Sequence, residues 1–245
     1  MSGMIMTRYA SGIVCLTDGM TCAGDNDPTL TGIMSKPIVI THMPAVITMT
    51  GDYVSLHIGL LTHAHTWRDF DELLANFRQA VGEQIEWHLR NSDLTEIGCR
   101  YFIGGYSPSR DRWETYQIET YAYFSDPWDG IGELTPAPEV AMAPAPGVDE
   151  LVRYGIDAKM DGDRLDVHLE NLDMDTLIRL MRAQRATEIG FGIRSENNWV
   201  PGHMVGFFIE STVLERDLCV RRIEWRWPDE IGKPIDPTQE GEAVT

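Results

Sequence analysis

The sequence predicts an α+β fold in which antiparallel sheets are covered by helices, and three observations predict it. β-rich runs come in pairs, at 10–25, 38–50, 99–124 and 204–227, each pair divided by turn residues. Apolar stripes at helical spacing separate these pairs, so strand blocks alternate with helix blocks. Single strands alternating with single helices would instead indicate a doubly wound parallel sheet. Finally, the run 113–124 sets Tyr116, Ile118 and Thr120 against Thr115, Gln117 and Glu119. One face of that strand is expected to be wet, as antiparallel sheets allow.

Taken in order, residues 10–25 (ASGIVCLTDGMTCAGD) read as a hairpin turning at Asp18-Gly19, a strong two-residue turn signal. That turn sets Cys15 opposite Cys22 as a hydrogen-bonded pair, whose wider spacing suits a disulfide poorly, so free thiols are expected. Residues 38–50 form a second hairpin about His42-Met43-Pro44, and from 52 to 65 the spacing turns helical. Asp69 opens a longer helix to about Leu89, with Phe70, Leu73, Leu74, Phe77, Val81 and Ile85 on one face. Thr66, three residues before Asp69, resembles a capping arrangement. Strands 99–107 and 113–124 follow, joined about Ser109-Arg110-Asp111. Residues 125–148 are rich in Pro, Gly and Ala and read as an irregular excursion. A further helix runs from its N-cap Asp173 to about Arg185, with Leu177, Ile178, Leu180 and Met181 facing in. Strands near 204–213 and 218–227 close the domain, which spans 1–227. Residues 228–245 read as a polar acidic tail, disordered over DPTQEGEAVT.

Composition excludes several function classes. The chain has 245 residues, 43% of them hydrophobic, enough for a sizeable core. Its formal charge is −18, from 38 acidic and 20 basic residues. Such a surface repels phosphate backbones, so no nucleic-acid partner is expected. Arg221, Arg222 and Arg226 read as the solvent face of a strand. No apolar run is long enough to cross a membrane, and the first residues do not form a secretory signal, which points to a cytoplasmic protein. Cysteines 15, 22, 99 and 219 show no CxxC spacing. His63 and His65 lie two apart at a helix end, where their directions diverge, so with His42 and His57 they suggest no metal site. Gly104-Gly105 and Gly130-Ile131-Gly132 read as turns rather than phosphate loops, so no cofactor is expected. Trp225 and Trp227 suit either a self-assembly contact or a strand end packed under the tail.

The order of motifs resembles the N-terminal nucleophile hydrolases, specifically proteasome β-type subunits and their bacterial relatives. SGIVCLTDG, then MTCAGD ending at Asp25, then Lys36, then AVITMTG ending at Gly51 resemble the family's opening strands. YFIGGY, RWETYQIE and GHMVGFFIESTVLERDLCVRRI resemble its later strands, so the likeness covers roughly 7–225. The resemblance implies a four-layer αββα sandwich, two antiparallel sheets between helical layers. It also implies self-assembly into a ring or helix, and a threonine-type peptidase or amidohydrolase acting on a peptide.

In that family the free N-terminal residue is nucleophile and base at once. The resemblance implies Lys36 as the cation that tunes it, Asp25 as the carboxylate that orients Lys36, and a backbone N–H near Gly51 for the oxyanion. Lys36 is one of only three lysines, with 159 and 233. Counting back from Asp18-Gly19 places the nucleophile on Tyr9, which is unsuited. Thr7 becomes the candidate, exposed by cleavage after Met6, with Ser11 as an alternative. Ser2, exposed by loss of Met1, is expected to lie too far from Lys36. The family's later Ser-Gly turn matches MAPAPG (142–147), which has no Ser, and Asp149 or Asp175 are substitutes for its later Asp. A non-catalytic assembly protein on the same scaffold is the alternative function.

Overall fold

The computed structural model describes residues 3–24, 27–51, 54–161, 164–168, 172–191 and 200–244. Its first half runs β1 (Met4–Tyr9), β2 (Gly12–Asp18), β3 (Met20–Gly24), β4 (Asp27–Ile33), β5 (Ile38–Ile40), β6 (Ala45–Gly51), α1 (Val54–Gly59), α2 (Leu61–Ala64), α3 (Phe70–Asn91), β7 (Glu96–Ser107) and β8 (Arg112–Tyr123). Then come β9 (Thr135–Pro136), β10 (Val140–Ala143), α4 (Val148–Arg153), β11 (Asp157–Asp161), β12 (Arg164–His168), α5 (Met174–Ala186), β13 (Ile189–Phe191), β14 (Val200–Gly202), β15 (Phe208–Glu215), β16 (Leu218–Arg226) and β17 (Glu242–Ala243).

Two antiparallel sheets dominate. One has the order β10-β1-β2-β15-β16-β17, the other β5-β6-β7-β8-β9. Strand alternation sorts the apolar side chains into three layers. Met4 and Met6 of β1, Ile13 and Cys15 of β2, and Leu214 of β15 meet Val46, Phe102 and Trp113 of the other sheet. The intervening Ile5, Leu16 and Ile209 pack instead with Leu151 of α4 and Leu177, Leu180 and Met181 of α5. On the second sheet, Ile47, Met49, Tyr101, Ile103 and Ile118 pack against Phe70, Leu73, Phe77, Val81 and Ile85 of α3. Helices, sheet, sheet and helices therefore stack as the αββα sandwich that the motifs imply.

Gly104 and Gly105 show how tightly the layers fit. A Cβ on Gly104 would meet Ile13 at 2.6 Å across the gap between sheets, and one on Gly105 would meet the Phe70 ring at 2.3 Å on the helical side. The pair is a point of close approach on both faces. Asp69 and Asp173 cap α3 and α5, accepting from the Glu72 and Thr176 amides at 3.0 and 2.8 Å. The wet face of β8 is wet only beyond Thr115, at half-buried Gln117 and exposed Glu119, because the other sheet covers its start.

Four sequence expectations change. Asp18-Gly19 is not a hairpin turn: β1 and β2 turn at Ala10-Ser11, whereas after Asp18 the chain leaves the sheet and β3 pairs with β4. Cys15 and Cys22 consequently lie in different sheets, and no disulfide joins any of the four cysteines among the described residues. The excursion 125–148 is a bridge between sheets, since β9 pairs with β8 and β10 with β1. Residues 228–244 are not a loose tail. Asp229 pairs with Arg185, Ile235 is buried, and β17 adds to β16. Trp225 and Trp227 are consumed by this packing, with Arg182 and Arg185 each stacked 4.6 Å from an indole ring.

Candidate active site

β2 ends in a carboxylate with no exposure to water. The burial of Asp18 follows from its place at the end of a strand flanked on both sides, by β1 and by β15. A charge in that position needs compensation from every direction. Asp18 Oδ1 accepts from the Gly3 amide at 2.9 Å and from the Lys36 ammonium. Oδ2 accepts from the Met20 and Gly206 amides at 3.1 and 3.2 Å. Lys36 itself is 5% exposed, so the ion pair is a buried one. Burial pushes the Asp18 carboxyl above its usual range, against the opposing pull of Lys36 and of the Met20 and Gly206 amides. Burial likewise pushes the Lys36 ammonium below its usual value, with Asp18 pulling the other way.

Lys36 is fixed from behind. His57 Nε2 of α1 lies 2.6 Å from the Lys36 carbonyl oxygen. That oxygen only accepts, so Nε2 carries the proton and Nδ1 does not. His57 is buried, and burial holds its pKa down at about 4, leaving the ring neutral. α1 follows Gly51, the last residue of β6, whose φ of +122° suits glycine alone. A Cβ there would come within 2.4 Å of the Gly98 carbonyl oxygen. The Gly51 turn and the Lys36 backbone are thus joined through one short helix.

A second buried ion pair holds the other side. The Arg185 and Asp229 side chains are 3% and 2% exposed and meet at 2.7 Å. Arg185 Nη1 donates to the Val205 carbonyl at 2.8 Å, and Asp229 Oδ2 accepts from the Phe207 amide at 2.6 Å. Gly206, between them, is the residue whose amide reaches Asp18. Phe207 adopts a φ of +62°, a strained value for a non-glycine residue that this clamp maintains. Helix α5, the segment after β16 and Asp18 are therefore one polar network.

Of the residues expected from sequence, the structure brings Lys36 into this network and ties the helix after Gly51 to it. It does not bring Thr7 there. Thr7 is buried in mid-β1, its hydroxyl donating to the Glu139 carbonyl at 3.0 Å, four residues along the strand from Gly3. At about 3.3 Å per residue that is roughly 13 Å from the amide that Asp18 holds. Asp25 lies outside the described residues, and so does Ser2. The carboxylate facing Lys36 is Asp18, which the sequence alone places in a turn. Asp18, His57, Gly206, Arg185 and Asp229 were all missed from sequence. The one available signal was an acid closing an otherwise apolar run, IVCLTD. Among the described residues, no three His, Cys, Asp or Glu side chains converge as a metal centre would require.

No protein-family model matches the chain, and no curated protein does. Solved structures do. The chain is similar to the Gly-1 mutant of Anbu from Hyphomicrobium sp. strain MC1, at 15% identity and a TM-score of 0.53, over 91% of this chain and 88% of that one. It is also similar to Anbu, described as an ancestral beta-subunit, from Yersinia bercovieri, at 14% identity and a TM-score of 0.51, over 90% and 86%. At such identity the likeness is one of fold.

Proposed function

We propose, from the premise of a proteasome-like N-terminal-nucleophile fold, that this chain hydrolyses amide bonds through Ser2, freed by scission of the Met1–Ser2 bond. One observation carries the reading: the buried Asp18 carboxylate accepts at once from Lys36 and from the Gly3 amide. That amide belongs to the peptide bond joining Gly3 to Ser2. The nucleophile role therefore passes from Thr7 to Ser2, and the orienting carboxylate is Asp18 in place of Asp25.

In this mechanism the Ser2 hydroxyl attacks the scissile carbonyl carbon while the free Ser2 amine takes its proton. Lys36 keeps that amine and the hydroxyl in their less protonated forms by its positive charge. A backbone N–H at the Gly51 turn stabilises the oxyanion. As the tetrahedral intermediate collapses, the C–N bond breaks and the amine's proton passes to the leaving nitrogen. Water then attacks the resulting ester, restoring Ser2 and releasing the acid. Self-assembly into a ring or helix, and a cytoplasmic location, belong to the same reading and are supported by the fold likeness alone.

A non-catalytic assembly protein is the second reading. It is favoured by MAPAPG, the segment matching the family's Ser-Gly turn, which has no hydroxyl and whose Met142 and Ala143 serve as β10. Assays on fluorogenic peptides separate the two. The hydrolytic reading expects Ser2→Ala to lower kcat by about 10³-fold or more, with Thr7→Ala largely active. Undiminished turnover in Ser2→Ala refutes it, and absence of turnover in a chain shown to begin at Ser2 favours the second reading.

A further inference from the structure

We propose that the opposite end of the sandwich binds a small organic anion, a carboxylate or phosphate carried on a ring-sized apolar body. A cavity of about 670 Å³ opens there, lined in part by Arg8, Tyr9, Tyr106, Asp111, Trp113 and Arg216. It lies where the turns after β1, β7 and β15 come together. β1 carries the chain from the Asp18 site to this mouth, about 20 Å away at 3.3 Å per residue. The two sites are separate, and this inference is independent of the hydrolytic reading.

Strand alternation explains what fills the mouth. Met4 and Met6 of β1 face the gap between sheets, so the next inward position is Arg8. Leu214 of β15 faces the same gap, and Arg216 stands two residues on, in the turn that leads to β16. Tyr106 and Trp113 close the apolar layer from the other sheet, paired with each other in register and edge-to-face at 5.5 Å. The gap thus ends in two guanidinium groups over an aromatic floor. In a chain of charge −18, this lining carries three arginines, Arg8, Arg112 and Arg216, against one carboxylate, Asp111, with Glu215 adjoining through the Tyr9 hydroxyl at 3.1 Å.

Of the lining arginines, Arg216 is preset and the Arg8 side chain has no ionic partner among the described residues. The Arg216 guanidinium stacks 4.3 Å from the Tyr106 ring and donates to the Tyr106 hydroxyl, which donates in turn to Asp111. Stacking and the fixed hydroxyl hold its fork in one orientation. The Asp111 carboxylate itself stands 3.7 Å from Arg216. Arg112, also in the lining, is occupied by Glu114 at 2.7 Å. The Arg8 side chain makes no hydrogen bond or ion pair among the described residues, while its backbone belongs to the β1–β2 ladder. A planar anion entering the mouth would meet both Arg8 and Arg216 and lay its body on Tyr106 and Trp113. The volume suits a small-molecule ligand rather than a bare ion.

The test is isothermal titration of the full chain with phenyl phosphate, benzoate, inorganic phosphate and neutral benzyl alcohol. The expected result is saturable binding of phenyl phosphate or benzoate, weakened by added salt. The tighter of the two identifies the anion class. Inorganic phosphate should bind more weakly and benzyl alcohol not at all. Arg8→Ala and Arg216→Ala should each weaken binding about tenfold or more, with Arg216→Lys intermediate and all melting temperatures unchanged. Failure of both aryl anions to saturate wild type by about 10 mM overturns the proposal. So does unchanged affinity in the Arg8→Ala/Arg216→Ala double variant, or equal binding of benzyl alcohol.

Discussion

Replacing Lys36 by methionine keeps most of the apolar stem and removes the ammonium, leaving a carboxylate of zero exposure facing a methylthio end. Breaking a buried pair from one side costs about 3–5 kcal/mol, because the remaining charge is uncompensated. Asp18 keeps three backbone donors, from Gly3, Met20 and Gly206, which carry part of that charge. The lower end, about 3 kcal/mol, is therefore expected. For a chain of this size each kcal/mol moves the melting temperature by about 2–4 °C, so Lys36→Met should melt about 6–12 °C below wild type. Adding Asp18→Asn removes the orphaned charge and should recover about 2 kcal/mol relative to Lys36→Met, so the double variant is far more stable than the two single losses added together. The pH dependence has a definite sign. In Lys36→Met burial still raises the Asp18 carboxyl, with no ammonium to pull it down. Above its unfolded value of about 3.9 the folded state then holds the extra proton, and stability falls as pH rises through the folded pKa. Thermal melts at pH 4 and pH 8 should show a smaller deficit at pH 4. A Lys36→Met melt within about 2 °C of wild type at pH 8 refutes the reasoning. A double variant as unstable as the sum of the singles refutes it equally.

Three further outcomes follow from the same geometry. His57, held down at about 4 by burial, is neutral when folded but titrates near 6.5 when unfolded. Its contribution is complete above about 6.5 and lost as pH falls through 4, about 3 kcal/mol in all. Urea titrations at pH 7.5 and 4.5 should show a steeper loss for wild type than for His57→Gln, and equal slopes would contradict this. Gly105→Ala drives a Cβ into the Phe70 ring, which approaches to 2.3 Å. A loss of about 1–3 kcal/mol is expected by denaturant titration, relieved by adding Phe70→Leu. No loss would show that the helical layer yields freely. Asp229→Ala orphans Arg185 and releases the Phe207 amide, so about 3–5 kcal/mol of stability should vanish, along with the hydrolysis proposed above. Full activity in that variant would show that the clamp does not position the site.

Much of the architecture could be read in advance because it rests on local rules. The α3 stripe and its cap Asp69, the α5 cap Asp173, the β5–β6 hairpin and the β7–β8 pair each follow from periodicity or turn chemistry over a dozen residues. β1 is not legible as a strand, because MIM carries no alternation, and it carries none because both of its faces are buried. The site was half legible. A scarce lysine before a strand stood out, but Asp18-Gly19 offered two readings with the same residues. As a turn it is local; as a buried carboxylate it depends on Gly206, 188 residues away. The Arg185–Asp229 clamp is equally non-local, and the charged composition of 228–245 disguised a packed segment as a free one. The excursion has no periodic signal, since it runs alongside β8 through isolated bridges at Asp126 and Ile131 and the two-residue β9, then crosses to β10 between Pro136 and Val140.

Peptide mapping after treatment with an acylating amide-hydrolase probe, such as a β-lactone, tests most directly whether the Asp18–Lys36 pair serves a nucleophile beside Gly3. The expected result is a single adduct on Ser2, in chains that have lost Met1, and none in Lys36→Met. An adduct on Thr7 or elsewhere, or an unlabelled chain proven to start at Ser2, would contradict it.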